Sequence, residues 1–232
     1  QILKSIYQMN NLIVKEKYSF VHCHTPMAGV ISRLICYKKK VKVIYTAHGF
    51  HFYDGASLKN WILYYPVEKV LSYFTDILIT INREDYQRAK KRFYAKKTLY
   101  IPGVGIDIEK FSNRLVNTEK IREELGISSN EVVLVSAGEL NENKNHKTVI
   151  YAIKKLQNKK IHYIVAGQGI LNNELKDLTR KLNLQGQVHL IGYQKDIVQW
   201  YQVADVYILP SIREGLNVSL MEAMASGLPV IG

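Results

Sequence analysis

The sequence predicts an α/β protein made of two tandem Rossmann-like domains, each built on a parallel sheet. Two observations support this fold class. Short apolar runs alternate with segments whose apolar residues have helical spacing, and the alternation pauses once, after residue 101. Repeated strand–helix units normally form a parallel sheet with right-handed crossovers. The 232 residues, of which 47% are hydrophobic, provide enough core for one large or two modest domains.

The first domain is predicted to cover residues 1–108. We expect strands at 19–24, 41–46, 76–81 and 98–101, and helices at 2–17, 28–37, 58–73 and from residue 83 onwards. Asn82 precedes Glu84 and Asp85, which is typical of a capped helix start. An irregular aromatic loop at 47–57 interrupts the alternation.

The second domain is predicted to cover residues 109–232. A turn-rich stretch at 102–107 leads into a polar segment to about residue 130, in which we place no element. Strands are then expected at 132–136, 162–166, 188–191 and 206–209, and helices at 145–156, 171–182 and 197–202. The sequence starts inside a predicted helix and stops in a strand-like run, so we expect both domains to be incomplete.

The charge of the chain is unevenly distributed. The net charge is +12, and residues 1–108 contain 17 Lys and Arg against 7 Asp and Glu, whereas the remainder contains 15 against 13. A basic half indicates nucleic acid or an anionic membrane face as partner, although a lysine-rich soluble surface would look the same. No run is long enough to span a bilayer, and the first residues lack the charged-then-apolar profile of a signal peptide. The two cysteines fit a reducing cytosol, so we expect a cytoplasmic location.

The stretch Glu214–Gly227 is the strongest candidate for a ligand site. It follows a predicted buried strand and combines two carboxylates, Glu214 and Glu222, with a glycine turn and an apolar helix. Ligands of open parallel sheets lie beyond the carboxyl ends of the strands, where helix N-terminal amides bind anionic groups. We therefore expect a phosphate at the amides of Gly215, Leu216, Asn217 and Val218, and a neutral diol such as ribose at Glu222. Acidic residues are, however, also common in any first helical turn.

Three further stretches follow strands of the second domain and reach the same sheet edge. Lys144 could direct its ammonium group at a diphosphate, although a solvated lysine is the ordinary alternative. Tyr193 could border a flat base or be a surface aromatic. Gly167-Gln168-Gly169 resembles the start of a dinucleotide fingerprint but lacks the third glycine.

In the first domain, His48 follows a strand in a polar and aromatic loop. At a carboxyl end facing an interdomain cleft it is placed to hydrogen-bond a substrate or accept a proton. Together with His22, His24 and His51, it also suggests the alternative hypothesis of a metal site. We disfavour that hypothesis because no acidic or cysteine partner completes a ligand set.

Taken together, these motifs resemble the family 4 retaining glycosyltransferases of the two-Rossmann-domain GT-B architecture, and more narrowly their bacterial exopolysaccharide and capsule-type members. The resemblance rests on E-x7-E at Glu214 and Glu222, on A-M-A-S-G-L-P-V after it, and on Y-T-A-H-G-F, I-P-G-V-G-I-D and G-E-L-N-E-N-K-N. The resemblance covers essentially the whole chain, and it implies that the chain is an incomplete fragment of such an enzyme.

The resemblance implies a role for each site residue. Glu214 would contact the transferred sugar, Glu222 the ribose of a UDP-sugar, and Lys144 with the amides of 215–218 the diphosphate. Tyr193 would border uracil, and His48 would contact the donor sugar from the acceptor side. Many family members have an arginine where this chain has Glu139, so Arg213 becomes a candidate for part of the missing charge. Asn217 replaces the usual second glycine.

The expected activity is transfer of a hexose or N-acetylhexosamine to a lipid-linked or saccharide acceptor with retention, in surface polysaccharide biosynthesis. No cofactor or metal is expected, because the amides and Lys144 compensate the diphosphate charge. The basic first domain, with Trp61, Tyr64 and Tyr65 on one helix, would attach to the inner face of the cell membrane. The alternatives are an epimerase or phosphorylase of the same architecture, or a nucleic-acid-binding module, for which interleaved stacking aromatics and basic residues are missing.

Overall fold

The computed structural model describes residues 2–112 and 117–232. The chain divides into two compact units, Gln1–Val104 and Gly105–Gly232. The sequence placed the boundary after residue 108, which is the first residue of a helix in the second unit. Each unit is an α/β domain with its own parallel sheet.

The first unit has a four-stranded parallel sheet in the order β1-β2-β3-β4. Its strands are β1 (Phe20–Cys23), β2 (Lys42–Ala47), β3 (Ile77–Thr80) and β4 (Lys97–Tyr100). The helices are α1 (Ile2–Glu16), α2 (Pro26–Lys39), α3 (Leu58–Ser72) and α4 (Arg83–Arg92). These bounds confirm the predicted alternation, and the side chain of Asn82 caps α4 by accepting from the amide of Asp85.

The aromatic loop between β2 and α3 is anchored to α4. Asp85 is buried and its Oδ2 accepts the amide of Phe50 at 2.9 Å, while Arg88 donates to the carbonyl of Phe52 at 3.3 Å. Phe50 and Phe52 are buried and stack with ring centroids 4.8 Å apart. The loop is therefore part of the hydrophobic core of the first unit.

One aromatic set lies differently from the prediction. Trp61 and Tyr65 of α3 pack inward against Phe52, with centroid distances of 5.6 and 5.3 Å, so they do not form an outward face with Tyr64. The exposed apolar side chains of α3 are instead Leu58, Ile62, Leu63, Val67 and Val70. On the inward side of the same helix, the Glu68 carboxylate pairs with the buried Arg33, 2.8 Å away.

The second unit has a five-stranded parallel sheet in the order β7-β6-β5-β8-β9. Its strands are β5 (Val132–Ala137), β6 (Ile161–Ala166), β7 (Val188–Gly192), β8 (Val206–Ile208) and β9 (Val230–Ile231). The helices are α5 (Ile108–Ser112), α6 (Thr118–Glu124), α7 (His146–Leu156), α8 (Asn172–Lys181), α9 (Val198–Val203) and α10 (Val218–Ala225). From β5 the chain runs outward to β6 and β7 and then returns to place β8 on the other side of β5, so the strand order reverses between β5 and β8. Ligands of this fold bind at such a switch point.

The polar segment before residue 130 was wrongly left without elements, since α5 and α6 lie within it. Phe111 of α5 is buried against the core of the sheet, and Ile121 of α6 packs against the same core. Asn117 caps α6 by accepting the amide of Lys120 at 3.1 Å. Residues 113–116, also part of that predicted segment, lie outside the described residues. Within the described residues no helix is long and apolar enough to cross a membrane.

Candidate active site

A cavity of about 750 Å³ opens at the carboxyl edge of the second sheet, beside the switch point between β5 and β8. The loops that follow β5, β6, β7 and β8 supply its wall, together with residues of α9 and α10. Seven of the residues predicted for the donor site line it: Lys144, Tyr193, Glu214, Leu216, Asn217, Val218 and Glu222. These residues, which the sequence placed together from strand ends and loop composition, therefore lie around one cavity.

An ion pair joins the two sides of this cavity. Lys144 Nζ lies 2.7 Å from Glu214 Oε1, and both side chains are largely buried. Burial, the largest single influence, raises the pKa of the Glu214 carboxyl, but the hydrogen bond from Lys144, the Lys144 charge and further hydrogen bonds together outweigh it, so the pKa lies below its usual value. Glu214 is therefore ionised at neutral pH.

The loop that contains Lys144 is fixed to the loop that contains Glu214. The amide of Ile212 donates to the carbonyl of Asn143 at 2.8 Å, and Asn143 Nδ2 donates to the carbonyl of Arg213 at 2.8 Å. Asn145 Nδ2 donates to the carbonyl of Pro210 at 3.2 Å. Asn145 has φ of 50°, a left-handed conformation that asparagine tolerates better than most residues. The ion pair thus lies between two loops that hold each other in place.

Asn217 forms the start of α10. It is buried, and its Oδ1 accepts the amide of Leu220 at 2.9 Å and the hydroxyl of Ser219 at 2.7 Å. The Ser219 hydroxyl oxygen lies 2.7 Å from that of Tyr207 and 2.9 Å from the carbonyl oxygen of Ala137. The helix start is therefore fixed to the ends of β5 and β8. Because the amide of Leu220 already donates to Asn217, an anion would bind the amides that precede Leu220 in the chain.

Glu222 lies in the second turn of α10 and faces the cavity. Tyr201 of α9 donates its hydroxyl to Glu222 Oε2 at 3.2 Å. Burial raises the pKa of Glu222 above its usual value, and the hydrogen bond from Tyr201 opposes that rise. Reasoning from sequence missed Tyr201. Its helix was predicted, but its hydrogen bond to Glu222 joins residues 21 positions apart, and no local pattern indicates such a contact.

Glu139 also lines the cavity, and its Oε2 accepts a hydrogen bond from Asn141 Nδ2 at 3.0 Å. The sequence left open whether Glu139 turns away or pairs with Lys144. The structure gives the ion pair of Lys144 to Glu214. The wall residues thus include three carboxylates and one ammonium group.

Three predicted residues lie outside this wall. Arg213 and Gly215 belong to the same loop as Glu214 but are not among the described residues that line the cavity. Arg213 is half-buried, and its carbonyl oxygen accepts the hydrogen bond from Asn143. His48 belongs to the first unit, where it is exposed just after β2.

The histidines of the first unit cluster at the carboxyl edge of its sheet. His24 Nδ1 lies 3.2 Å from His48 Nε2, and His22 Nε2 lies 2.8 Å from the hydroxyl oxygen of Thr46. His51 packs on Tyr64, with ring centroids 4.6 Å apart. In residues 2–112 and 117–232, no group of three His, Cys, Asp or Glu side chains is arranged to hold a metal ion.

The two glycines of Gly167-Gln168-Gly169 serve close backbone packing. A Cβ on Gly167 would overlap the carbonyl of Gly138, and one on Gly169 would overlap the backbone of Leu140. The amide of Leu140 donates to the carbonyl of Gln168 at 3.0 Å, which joins the loops after β5 and β6. This contact explains the G-x-G spacing without a dinucleotide.

Two family descriptions match the chain: "Glycosyl transferases group 1" over residues 117–232 and "Glycosyl transferase 4-like" over residues 1–82. The first covers half of the chain and contains the entire cavity. The chain belongs to the glycosyl transferases group 1 family.

Curated glycosyltransferases resemble the chain over almost all its length. It is 42% identical to the putative glycosyltransferase EpsD of Bacillus subtilis, over 97% of the chain and 61% of that protein. It is 31% identical to the UDP-Gal:alpha-D-GlcNAc-diphosphoundecaprenol alpha-1,3-galactosyltransferase of Escherichia coli, over 99% of the chain and 61% of that protein. The chain thus spans about three fifths of the length of these relatives.

Solved glycosyltransferase structures confirm the predicted fold class of two tandem Rossmann-like domains, the GT-B architecture. Anabaena Alr3699/HepE in complex with UDP-glucose matches with a TM-score of 0.80 at 20% identity, over 99% of this chain and 62% of that one. The sucrose-phosphate synthase of Thermosynechococcus elongatus matches with a TM-score of 0.78 at 17% identity, over 99% and 59%.

Proposed function

We propose that the full-length protein transfers a hexose or N-acetylhexosamine from a UDP-sugar to a lipid-linked or saccharide acceptor, with retention, in the synthesis of a surface polysaccharide such as an exopolysaccharide or capsule. One observation carries this proposal. A single cavity at the switch point combines the start of α10, Lys144, and two carboxylates in different surroundings, Glu214 and Glu222. The names of relatives support the donor and acceptor classes, since one acts on a diphosphoundecaprenol-linked sugar and one structure holds UDP-glucose.

Each part of a UDP-sugar has a counterpart in the cavity. The amides of Gly215, Leu216, Asn217 and Val218 would bind the diphosphate, and Lys144 would turn to it from Glu214. Glu214, once released, would accept hydroxyl groups of the transferred sugar. Glu222 would bind the ribose diol, and Tyr193, which is 69% exposed, would cover the uracil ring.

Retention is proposed as a front-face displacement, in which the bond from the anomeric carbon to the diphosphate breaks while the acceptor oxygen attacks from the same side. The departing diphosphate accepts the proton of the acceptor. Lys144 and the α10 amides would stabilise the negative charge that develops on UDP. Because that charge grows in the transition state, this stabilisation lowers the reaction barrier. His48 would contact the donor sugar, and Arg213 would add positive charge near the diphosphate.

Neither a metal nor another cofactor is required in this proposal, because the ammonium group and the amides compensate the leaving group. We expect the activity of the full-length protein to be unchanged by a chelator. Activity that is lost with chelator and restored by magnesium or manganese would contradict this.

Donor binding can be tested by thermal shift of the full-length protein with a panel of UDP-sugars. We expect UDP and at least one UDP-sugar to raise the melting temperature, and Glu222→Ala to reduce that shift strongly. Glu142→Ala is a matched control, because Glu142 is exposed on the neighbouring loop and pairs with Lys147. If no nucleotide sugar stabilises the protein and Glu222→Ala behaves like the wild type, the proposed donor site is wrong.

We also propose that the first unit attaches the protein to the anionic inner face of the cell membrane. The outer face of α3 carries Leu63, Val67 and Val70, which are 61%, 44% and 56% exposed, and Lys59 lies on the same helix. The one acidic residue of α3, Glu68, points inward to Arg33. Apolar side chains with cations nearby suit an anionic interface.

Co-sedimentation with vesicles tests this attachment. The full-length protein should bind vesicles that contain anionic phosphatidylglycerol, and Val67→Glu with Val70→Glu should weaken binding. Leu156→Glu, an exposed apolar position of the second unit, is the control. Binding that does not depend on anionic lipid would count against the proposal.

A further inference from the structure

We propose that Tyr201 positions the Glu222 carboxylate and thereby sets the preference of the site for a ribose diol over a 2′-deoxyribose. The inference rests on the proposed function, because it concerns the nucleotide end of the proposed donor site. Tyr201 belongs to α9, whereas the donor-site residues named above lie on loops or on α10.

The geometry at Tyr201 is that of a buried ring with one polar atom at the cavity. The residue is fully buried, yet it belongs to the cavity wall, and its hydroxyl lies 3.2 Å from Glu222 Oε2. The ring packs against Phe111 and Tyr207, with centroids 6.2 and 6.0 Å away. Full burial and two aromatic neighbours restrict the ring, so the direction of the hydroxyl is restricted as well.

The hydroxyl can only act as a donor towards a carboxylate. Burial, followed by the nearby Tyr207 and Glu222, raises the pKa of Tyr201 well above its usual value, so the proton stays on the phenol. One hydrogen bond occupies one of about four acceptor positions of a carboxylate. Glu222 therefore keeps acceptor capacity for two vicinal hydroxyls, while its rotation about the side-chain bonds is restricted.

Two acceptors held in one orientation recognise a diol better than a single hydroxyl, because both hydrogen bonds form without further ordering of the side chain. A Glu222 side chain without Tyr201 would have to be ordered by the ligand. Its carboxyl would also be protonated at higher pH, since burial would no longer be opposed by a donor. Tyr201 thus acts through Glu222 as a positioning residue.

The test is calorimetric binding of UDP and of 2′-deoxyuridine diphosphate to the full-length protein and its Tyr201→Phe variant. We expect the wild type to prefer UDP by about tenfold, and the ratio to fall towards one in Tyr201→Phe. As the pH is lowered, the variant should also lose UDP affinity at a higher pH than the wild type. A merely structural role of the ring would leave both the ratio and this pH dependence unchanged, because phenylalanine keeps the packing.

Two further variants separate the outcomes. Tyr163→Phe removes another fully buried hydroxyl of the second unit, one that donates to Ser136 and not to Glu222, and should keep the wild-type ratio. Glu222→Gln combined with Tyr201→Phe should behave as Glu222→Gln alone, since Tyr201 acts through that carboxylate. A wild-type ratio in Tyr201→Phe, or additive effects in the double variant, would overturn the inference. Absence of UDP binding by the wild type would instead contradict the proposed function.

Discussion

At the scale of single residues, the balance of charge in the cavity is its main chemical property. Of its described wall residues, Glu139, Glu214 and Glu222 are acidic and Lys144 is basic. Lys144 is already paired with Glu214. In the proposed donor site, a diphosphate would therefore compete with a carboxylate for the ammonium group, and the start of α10 would supply the remaining attraction.

Glu139 should oppose nucleotide binding. Replacing it by glutamine removes one negative charge from the wall and keeps a hydrogen-bonding side chain beside Asn141. We expect Glu139→Gln to strengthen UDP binding by about two- to tenfold, because a repulsion at partly screened distance is lost. Calorimetry at low and high salt measures this effect, which should shrink with salt. Glu142→Gln, on the same loop but outside the cavity wall, is the control; unchanged or weaker binding by Glu139→Gln would refute the repulsion.

At the scale of elements, the sequence predicted most strands and helices because each combines a clear apolar period with a capping or turn residue. The strand expected at 132–136 is β5, Val132–Ala137, and the cap at Asn82 was identified correctly. Helices α5 and α6 escaped prediction because they are short, and their stability comes from packing of Phe111 and Ile121 on a distant core. Local patterns contain no signal for such packing.

The candidate site was predictable to the level of loops but not of contacts. Strand ends brought Lys144, Glu214 and Glu222 to one edge. The partner of Lys144 was not predictable, because it lies 70 residues away and Glu139 was an equal candidate by charge. The role of Gly167 was also not predictable from the sequence. A Gly-x-Gly sequence is the same whether its glycines approach a phosphate or allow the loops after β5 and β6 to pack closely.

The contact between the loops after β5 and β6 leads to a stability prediction. Gly167→Ala places a Cβ on the carbonyl of Gly138, so backbone must shift, and we expect a loss of about 2 kcal/mol or more in the free energy of unfolding. Gly186→Ala is the matched control, since a Cβ there meets no atom within 4 Å. We expect that change to be neutral or stabilising by about 0.5 kcal/mol. Urea denaturation compares the two, and equal stabilities would show that the loops can separate freely.

At the scale of the whole molecule, the buried His146 and the half-buried His189 couple the stability of the second unit to pH. Burial, with a smaller effect of the Lys144 charge, lowers the pKa of His146 to about 4. Burial, with a smaller effect of His162, lowers the pKa of His189 to about 4. When the pH falls below 6.5, the ordinary pKa of histidine, these side chains bind protons in the unfolded chain but stay neutral in the folded unit. Stability is therefore complete above that value and falls as the pH drops towards 4.

The free energy of unfolding of the second unit should fall by on the order of 3 kcal/mol across that window because of His146, and by less because of His189, whose charge solvent partly screens. Urea denaturation followed by Trp200 fluorescence in a Trp61→Phe background measures it. His146→Gln should be less stable at neutral pH, because His146 Nδ1 lies 3.0 Å from the Tyr163 hydroxyl, but its pH slope should be shallower. The same slope in both proteins would exclude His146 as a source of the pH dependence.

The three hydrogen bonds between residues 143–145 and residues 210–213 bear on how relatives of this protein can be recombined. A chimera whose crossover lies between these segments would take one side of the interlock from each parent. Mismatched asparagines would then displace the lysine from the glutamate even if every donor-site residue were retained. The proposed donor preference should therefore transfer between relatives only when residues 143–145 and residues 210–213 come from the same parent. In a chimera, these two distant segments must be exchanged together.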